Sequence, residues 1–223
     1  MAGAVLDVEA LPAASAIILR DAPLEVLMLR RHESASFVPN AWVFPGGVTE
    51  PLDRELTASA LEAMKLTAAR ETFEESGLWL GATLADAAEK RARLLAGELT
   101  MRDLLAESAI DLEALVYTSR WITPVGIPKR FDTYFFLAGV SREAVATPEL
   151  REAVEVRWIE PAEALARHRA REMQMVFPTI RNLEALVGFE DARALLDSRR
   201  GATIEPVLPI LVNGKPTLPS EVK

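Results

Sequence analysis

Arg70-Glu71-Thr72-Phe73-Glu74-Glu75-Ser76-Gly77-Leu78 closes a run, residues 57–76, that is dense in Ala, Leu, Glu and Met and free of Gly and Pro. Such a composition predicts a helix, and Gly77 stands where a helix stops. At 100° per residue Glu71, Glu74 and Glu75 fall within about a third of the circumference, and Leu66, Ala69 and Phe73 form a separate apolar stripe. Two features are unfavourable for a bare helix. Glu71 and Glu75 are a like-charged i,i+4 pair costing about 0.2–0.5 kcal/mol, and the acids gather at the negative end of the helix dipole. A bound cation reverses the sign of both effects, while Arg70 reaches Glu74 at i,i+4 and holds one carboxylate in a fixed rotamer. Glu is also a good helix former, so three acids on a wet helix surface need no further reason by themselves.

Outward from this helix the chain alternates strands and helices. Residues 13–20 and 25–29 are small and branched apolar runs about the turn Asp21-Ala22-Pro23-Leu24, which predicts a hairpin. Trp42-Val43-Phe44 reads as a strand entering a tight loop, with Gly46-Gly47 free to adopt positive φ. Residues 84–112 hold a helical segment broken near Gly97, either an insertion or an outer layer. Residues 116–123 and 131–140 predict a long hairpin, 154–159 a strand, and Pro161 opens a helix to about 168. Helices are expected over 174–187 and 190–198, followed by a Pro-spaced tail that is irregular or a late edge strand. This order predicts an α/β domain, a mixed sheet covered by helices, spanning 1–223 with its core at about 13–165.

Composition narrows the chemistry. The 223 residues carry a formal charge of −8, which argues against a non-specific nucleic-acid binder. No apolar run is long enough to span a bilayer, and the acids Asp7 and Glu9 sit where a signal peptide is basic, so the expectation is a cytoplasmic protein with no membrane partner. Zero cysteines exclude thiol nucleophiles and Cys-ligated metals, and the two histidines, His32 and His168, leave little room for a His site. Any metal is therefore held mainly by oxygen, which points to magnesium, manganese or calcium.

The helix segment resembles the signature of the Nudix hydrolases: Gly, five residues, Glu, seven residues, Arg-Glu, an apolar residue, any residue, Glu-Glu, any residue, Gly, apolar. Arg70, Glu71, Glu74, Glu75, Gly77 and Leu78 match it, a coincidence on the order of 10⁻⁴ at average residue usage. Thr72 replaces an apolar residue. Phe44-Pro45-Gly46-Gly47-Val48 looks like the approach to the box, and Glu62 stands seven residues before Arg70. However, 14 residues rather than five separate Gly47 from Glu62. Either the loop carries a nine-residue insertion or Glu62 matches by accident, and with Ser59 it equally fits a helix capping box. The stretch LRRHESASFVPNAWVFPGG at 29–47, with SRWITP at 119–124 and KRFDTYFFL at 129–137, is similar to the subgroup containing peroxisomal coenzyme A diphosphatases, which also has an enlarged box loop.

The resemblance implies a Nudix fold, an α/β/α sandwich with a mixed central sheet and the 84–112 segment inserted. It implies hydrolysis of a pyrophosphate bond in a nucleoside diphosphate derivative with Mg²⁺ or Mn²⁺ as cofactor, preferentially coenzyme A or acyl-coenzyme A, giving 3′,5′-ADP and a 4′-phosphopantetheine. ADP-ribose or a dinucleotide is the alternative substrate, and a catalytically silent nucleotide-binding module the alternative of another class. By the same resemblance Glu71, Glu74 and Glu75 bind metal with a carbonyl of Gly46 or Gly47, and Glu74, Glu75 and Arg70 serve catalysis. An extra acid is expected from Glu149, Glu152 or Glu155. Arg30, Arg31, Lys129 and Arg130 bracket the site in sequence as phosphate-binding candidates, with Phe131, Trp42, Tyr134 and Phe135 as stacking or core aromatics. Neither His32 nor His168 has a case for catalysis. Many relatives are dimers, though no stretch of this chain marks an interface.

Overall fold

A computed structural model describes residues 8–35 and 38–221, so the reading of residues 1–7, of Ser36 and Phe37, and of Val222 and Lys223 lies outside the described residues. The spine is a parallel pair. Strand β1 (Leu11–Arg20) runs beside a strand from Phe131 to Gly139, in register from Leu11 opposite Phe131 to Leu19 opposite Gly139. Helices cover both faces of this pair, which is why β1 reads as a continuous apolar run rather than an alternating one: Ala13 to Leu19 are all buried.

Strand β2 (Glu25–Arg31) returns antiparallel to β1, but the two pair only at the turn, Leu19 with Val26 and Arg20 with Glu25. Beyond that they part. Strand β3 (Trp42–Val43) fills the gap on β2, and β4 (Gly46–Val48) fills it on β1. Helices α1 (Pro51–Glu55), α2 (Ala60–Ser76), α3 (Ala87–Leu95) and α4 (Met101–Glu107) follow. Strand β5 (Val116–Ile122) then pairs antiparallel with β6 (Phe131–Gly139), and β7 (Ala153–Ile159) pairs with the free edge of β2. Helices α5 (Pro161–Arg169), α6 (Phe177–Glu184) and α7 (Ala192–Arg199) precede β8 (Pro206–Val207), which is parallel to β5. Strands β9 (Ile210–Val212) and β10 (Lys215–Thr217) form a separate hairpin. The result is an α/β/α sandwich about one mixed sheet. Among the described residues no helix is long and apolar enough to cross a membrane.

One face of the sheet, with Ala14, Ala16, Ile18, Leu27 and Phe136, packs on Ala63, Met64, Ala68 and Ala69 of α2. The other face packs Ile17, Leu19, Val26, Met28 and Leu137 on Leu165, Leu183 and Leu195 from α5, α6 and α7. The segment expected at 84–112 forms a third layer: Leu84, Met101 and Leu104 cover Leu66 and Phe73 on the outer side of α2. Helix α2 is therefore buried on both sides, and the single apolar stripe expected of it divides between two cores. That double burial explains why Lys65, Thr67, Arg70 and Thr72 are all buried within it.

Several boundaries differ from expectation for identifiable reasons. Helix α2 starts after Ser59, whose hydroxyl accepts the Glu62 amide, rather than at residue 57. Helix α6 starts at Phe177 rather than 174, because Gln174 and Met175 are extended along β3, with the Trp42 amide donating to Gln174 O at 2.8 Å. Gly46 and Gly47 do not adopt positive φ but lie in a strand. A Cβ at Gly46 would fall 2.6 Å from Ala14 O, so close approach to β1 is what demands glycine there. Gly77 does have φ +75° and ends α2 as expected.

Candidate active site

Arg70 is the buried centre of the site. Its Nε lies 3.1 Å from Asp53 Oδ1 and its Nη2 3.0 Å from Asp53 Oδ2, with Nη2 also donating to Val48 O at 3.0 Å. Its Nη1 donates to Glu71 Oε1 at 2.8 Å and to Glu74 Oε2 at 3.2 Å. Asp53 is wholly buried and also accepts Thr67 Oγ1 at 2.9 Å and the Glu50 amide at 3.0 Å. A buried ion pair is tolerated only when its remaining donors and acceptors are used, and here they are.

Asp53 was not among the residues expected from sequence, although a signal for it exists: five residues separate it from Gly47, the box spacing, with Asp in place of Glu. The nine extra residues thus lie between Asp53 and Arg70, not between the glycines and the acid. Glu62 does not reach this site. Its carboxylate accepts the Ala58 amide at 2.9 Å at the start of α2, roughly 13 Å along the helix from Glu71.

The acids meet β4 at the other end of α2. Gly46 N donates to Glu75 Oε2 at 3.0 Å, and a Cβ at Gly47 would fall 2.3 Å from Glu71 Oε1. The glycine pair lets backbone and carboxylates share one space. Burial pushes the Glu71 carboxyl up to about 7 against the pull of Arg70, with Glu74 and Glu152 adding to the rise. Burial raises Glu75 well above the ordinary carboxylate range, as do Glu71 and Glu152, against the Gly46 amide and Arg31. Burial also raises Glu74, opposed by Arg70. Among the described residues no three carboxylates converge as a closed cage. Glu74 turns to Arg70 while Glu71 and Glu75 face the glycines. Carboxylate oxygens that raise one another's proton affinity, as Glu71 does for Glu75 and Glu74 for Glu71, are the donor type that suits a hard divalent cation, and Glu71, Glu74 and Glu75 are the residues that would hold one.

Of the three further acids, Glu152 lines the cavity beside Glu71 and Glu75. Glu149 turns its carboxylate to Arg151 at 2.9 Å, and Glu155 pairs with Arg30 at 3.2 Å and Arg157 at 2.5 Å. The basic candidates divide likewise. Arg31 and Lys129 line the cavity with Phe131, and Arg31 Nε has no hydrogen-bond partner among the described residues. Arg30 is held by Glu155 and does not line the cavity. Arg130 is buried and donates to Thr123 O at 2.9 Å and Val8 O at 2.6 Å, so it ties down the β5–β6 loop instead of meeting substrate. Trp42 is buried under Arg157, and Tyr134 stacks on Tyr117. Phe135 alone of these three lines the cavity. His32 bonds Ser34, and His168 bonds Met173 O.

The cavity, about 740 Å³, occupies the wedge where β1 and β2 part. Glu71, Glu75 and Glu152 are its acids, and Phe44, Trp121, Phe131, Phe135, Met175 and Phe177 give it apolar walls. A smaller polar cavity of about 230 Å³ adjoins it through Arg31, Glu75 and Glu152.

Fold and site together have the architecture of a Nudix domain. The model of the NUDT19 Nudix domain matches residues 55–186, more than half of the chain, and the chain belongs to that family. A Caenorhabditis elegans protein assigned the name nudix hydrolase 7 is 32% identical over 186 residues, covering 80% of this chain and 61% of that one. The acyl-coenzyme A diphosphatase NUDT19 of Xenopus laevis is 25% identical over 228 residues, covering 74% of this chain and 60% of that one. The chain thus spans about 60% of the length of these curated relatives. A crystal structure of a NUDIX hydrolase from Alicyclobacillus acidocaldarius superposes with a TM-score of 0.77 at 28% identity, covering 86% of this chain and 97% of that one.

Two measurements check this geometry. Asp53→Asn leaves Arg70 with an uncompensated buried charge and is expected to lower stability to urea by about 3 kcal/mol, whereas Glu62→Gln, which keeps an acceptor for Ala58, changes it by less than about 1 kcal/mol. Equal effects would contradict the assignment of Asp53. The second concerns pH with chelator present. Because the Glu71 carboxyl rises from 4.5 to about 7 on folding, the folded state holds more protons in that window, and stability falls as pH climbs through it. Thermal melts from pH 5 to 8 should show a shallower fall for Glu71→Gln than for wild type, and saturating Mn²⁺ should remove the difference.

Proposed function

We propose that this chain hydrolyses a pyrophosphate bond in a nucleoside diphosphate derivative, with coenzyme A or acyl-coenzyme A as substrate and 3′,5′-ADP and a 4′-phosphopantetheine as products. The observation that carries this reading is the acidic end of α2, where Glu71 and Glu75 pack against the glycine strand and line a large, mainly apolar cavity while Arg70 holds Glu74 beside them. The names of the relatives support the choice of substrate, since NUDT19 of Xenopus laevis is called an acyl-coenzyme A diphosphatase.

In this reading Glu71, Glu74 and Glu75 hold Mg²⁺ or Mn²⁺, which when bound neutralises phosphoryl oxygens and lowers the pKa of water. The chain's own residues do the rest. Arg70 fixes Glu71 and Glu74 by hydrogen bonds, so neither swings when substrate arrives. Glu152, exposed at the cavity edge, accepts the proton of the attacking water. Arg31, beside Glu75 and Glu152, and Lys129 are the cavity's cations for the phosphates, and Arg31 brings an Nε with no acceptor among the described residues. Phe131, Phe135 and Phe177 give the non-reacting part of the substrate an apolar surface, which suits a thioester chain or a nucleobase face.

Mass-resolved product analysis tests the substrate. Incubation with coenzyme A, an acyl-coenzyme A, ADP-ribose and NADH should give metal-dependent 3′,5′-ADP from the first two. AMP from the last two with none from coenzyme A would replace the substrate and keep the chemistry, and turnover of none would leave a nucleotide-binding module. Glu152→Gln is expected to lower kcat by about 10²- to 10³-fold with little change in KM, and Glu149→Gln to stay within about threefold of wild type. The reverse order would move the proton-accepting role to Glu149.

A further inference from the structure

The last four carbonyls of a helix have no partners within it. At the end of α2 the last i→i−4 bond is that of Gly77 N to Phe73 O, at 2.9 Å, and the three carbonyls after it, of Glu74, Glu75 and Ser76, are taken by donors from outside the helix. Glu149 N donates to Glu75 O at 3.1 Å and Thr147 N to Ser76 O at 2.8 Å. Glu74 O takes both Nε and Nη2 of Arg91, at 2.9 and 2.7 Å. The remaining Arg91 nitrogen, Nη1, donates to Thr147 O at 3.0 Å and Thr147 Oγ1 at 3.1 Å. Arg91 belongs to α3, in the segment added outside the sheet and its two covering layers. Its guanidinium thus joins the acidic turn of α2 to the loop that leads, five residues after Thr147, to Glu152.

The join is short at both ends. Glu152 N donates to Glu149 O at 3.0 Å, so the loop folds back on the residue that caps Glu75. A Cβ on Gly77 would lie 3.3 Å from both Arg91 Nη1 and Thr147 Oγ1, so nothing larger than glycine sits comfortably between them. A planar fork with donors on two sides bridges two carbonyls at once, which an ammonium group does not reproduce. A positive charge at the carboxyl end of α2 also offsets the helix dipole beside the three acids.

We propose that Arg91 is a positioning residue, which sets the distance between Glu152 and the turn that carries Glu71, Glu74 and Glu75. The inserted segment then serves the reaction as well as covering α2. This inference rests on the reading of Glu152 as proton acceptor and of the three acids as metal ligands. A displacement of about 1 Å at a reacting group is enough to cost on the order of 10²-fold in rate, so a clamp outside the cavity has a measurable effect.

The test is a double-mutant cycle between Arg91→Ala and Glu152→Gln, read as kcat and KM on the substrate the wild type turns over, with hydrogen exchange of the 147–152 amides followed in parallel. The expected result for Arg91→Ala is a kcat lower by about tenfold or more with KM within twofold, and faster exchange at Thr147 and Glu149 while β1 stays protected. Glu152→Gln should then cost clearly less in the Arg91→Ala background than in wild type, because the residue it removes is already misplaced. Free guanidinium should restore part of the loss. Where Arg91→Ala does not fold, Arg91→Lys should show a smaller loss of the same kind. Unchanged kcat, or fully additive effects alongside a lowered Tm, would reduce Arg91 to a stabilising contact and overturn the inference. A wild type inactive on every substrate with metal present would instead overturn the parent reading.

Discussion

The buried pair of Arg70 with Asp53 is the constraint from which the site follows. An arginine with five donors and almost no exposure has to find acceptors within reach of its planar fork. Asp53 takes one side of that fork and Val48 O shares it, so the pair fixes α1 and the end of β4 against the middle of α2. The opposite nitrogen is left for Glu71 and Glu74. Removing the pair would free the acids and unhook the segment that holds the glycine strand in place. Stability and chemistry are coupled through a single guanidinium.

The second organising fact is that α2 is enclosed. The sheet lies on one side and α3 with α4 on the other, so its polar residues must bond to its own backbone or to groups on the segments packed against it. Thr67 bonds Asp53 and Ala63 O, Thr72 bonds Ala68 O, and Ser76 bonds Thr72 O. Thr72, a departure from the apolar residue of the Nudix pattern, is accommodated by that bond to the preceding turn. Only the last turns of the helix reach the cavity, and there the acids are concentrated.

Much of this was legible in the sequence because it depends on local spacing. The helix, its glycine stop, the carboxylate face, the two hairpins and the outer helical segment all follow from periodicity and turn residues, and the Nudix resemblance from identities in a short window. The Asp53 role was harder to see, since the longer carboxylate Glu62 matched the spacing to Arg70 while Asp53 matched the spacing to Gly47. Only the fold decides which end of the pattern is interrupted. The glycines were read for backbone freedom, whereas their contacts with Ala14 O and Glu71 demand the absence of a side chain. Arg91, and the sorting of Arg31 from Arg30 and Glu152 from Glu155, depend on partners far away in sequence. No local pattern encodes them.

The parallel pairing of β1 with β6 has a kinetic side. Leu11 meets Phe131 roughly 120 residues later, and the glycine strand, the acidic turn of α2 and Arg91 all lie inside the loop this ladder closes, while Thr147 and Glu149 follow it. Contacts so distant along the chain are entropically expensive to nucleate and tend to form late. Helix α2 gains its sheet-side cover only as that ladder zips up. During folding, therefore, the carboxylates remain hydrated and mutually repelling until the slowest long-range step is complete, and their close grouping comes into being with the finished fold rather than ahead of it.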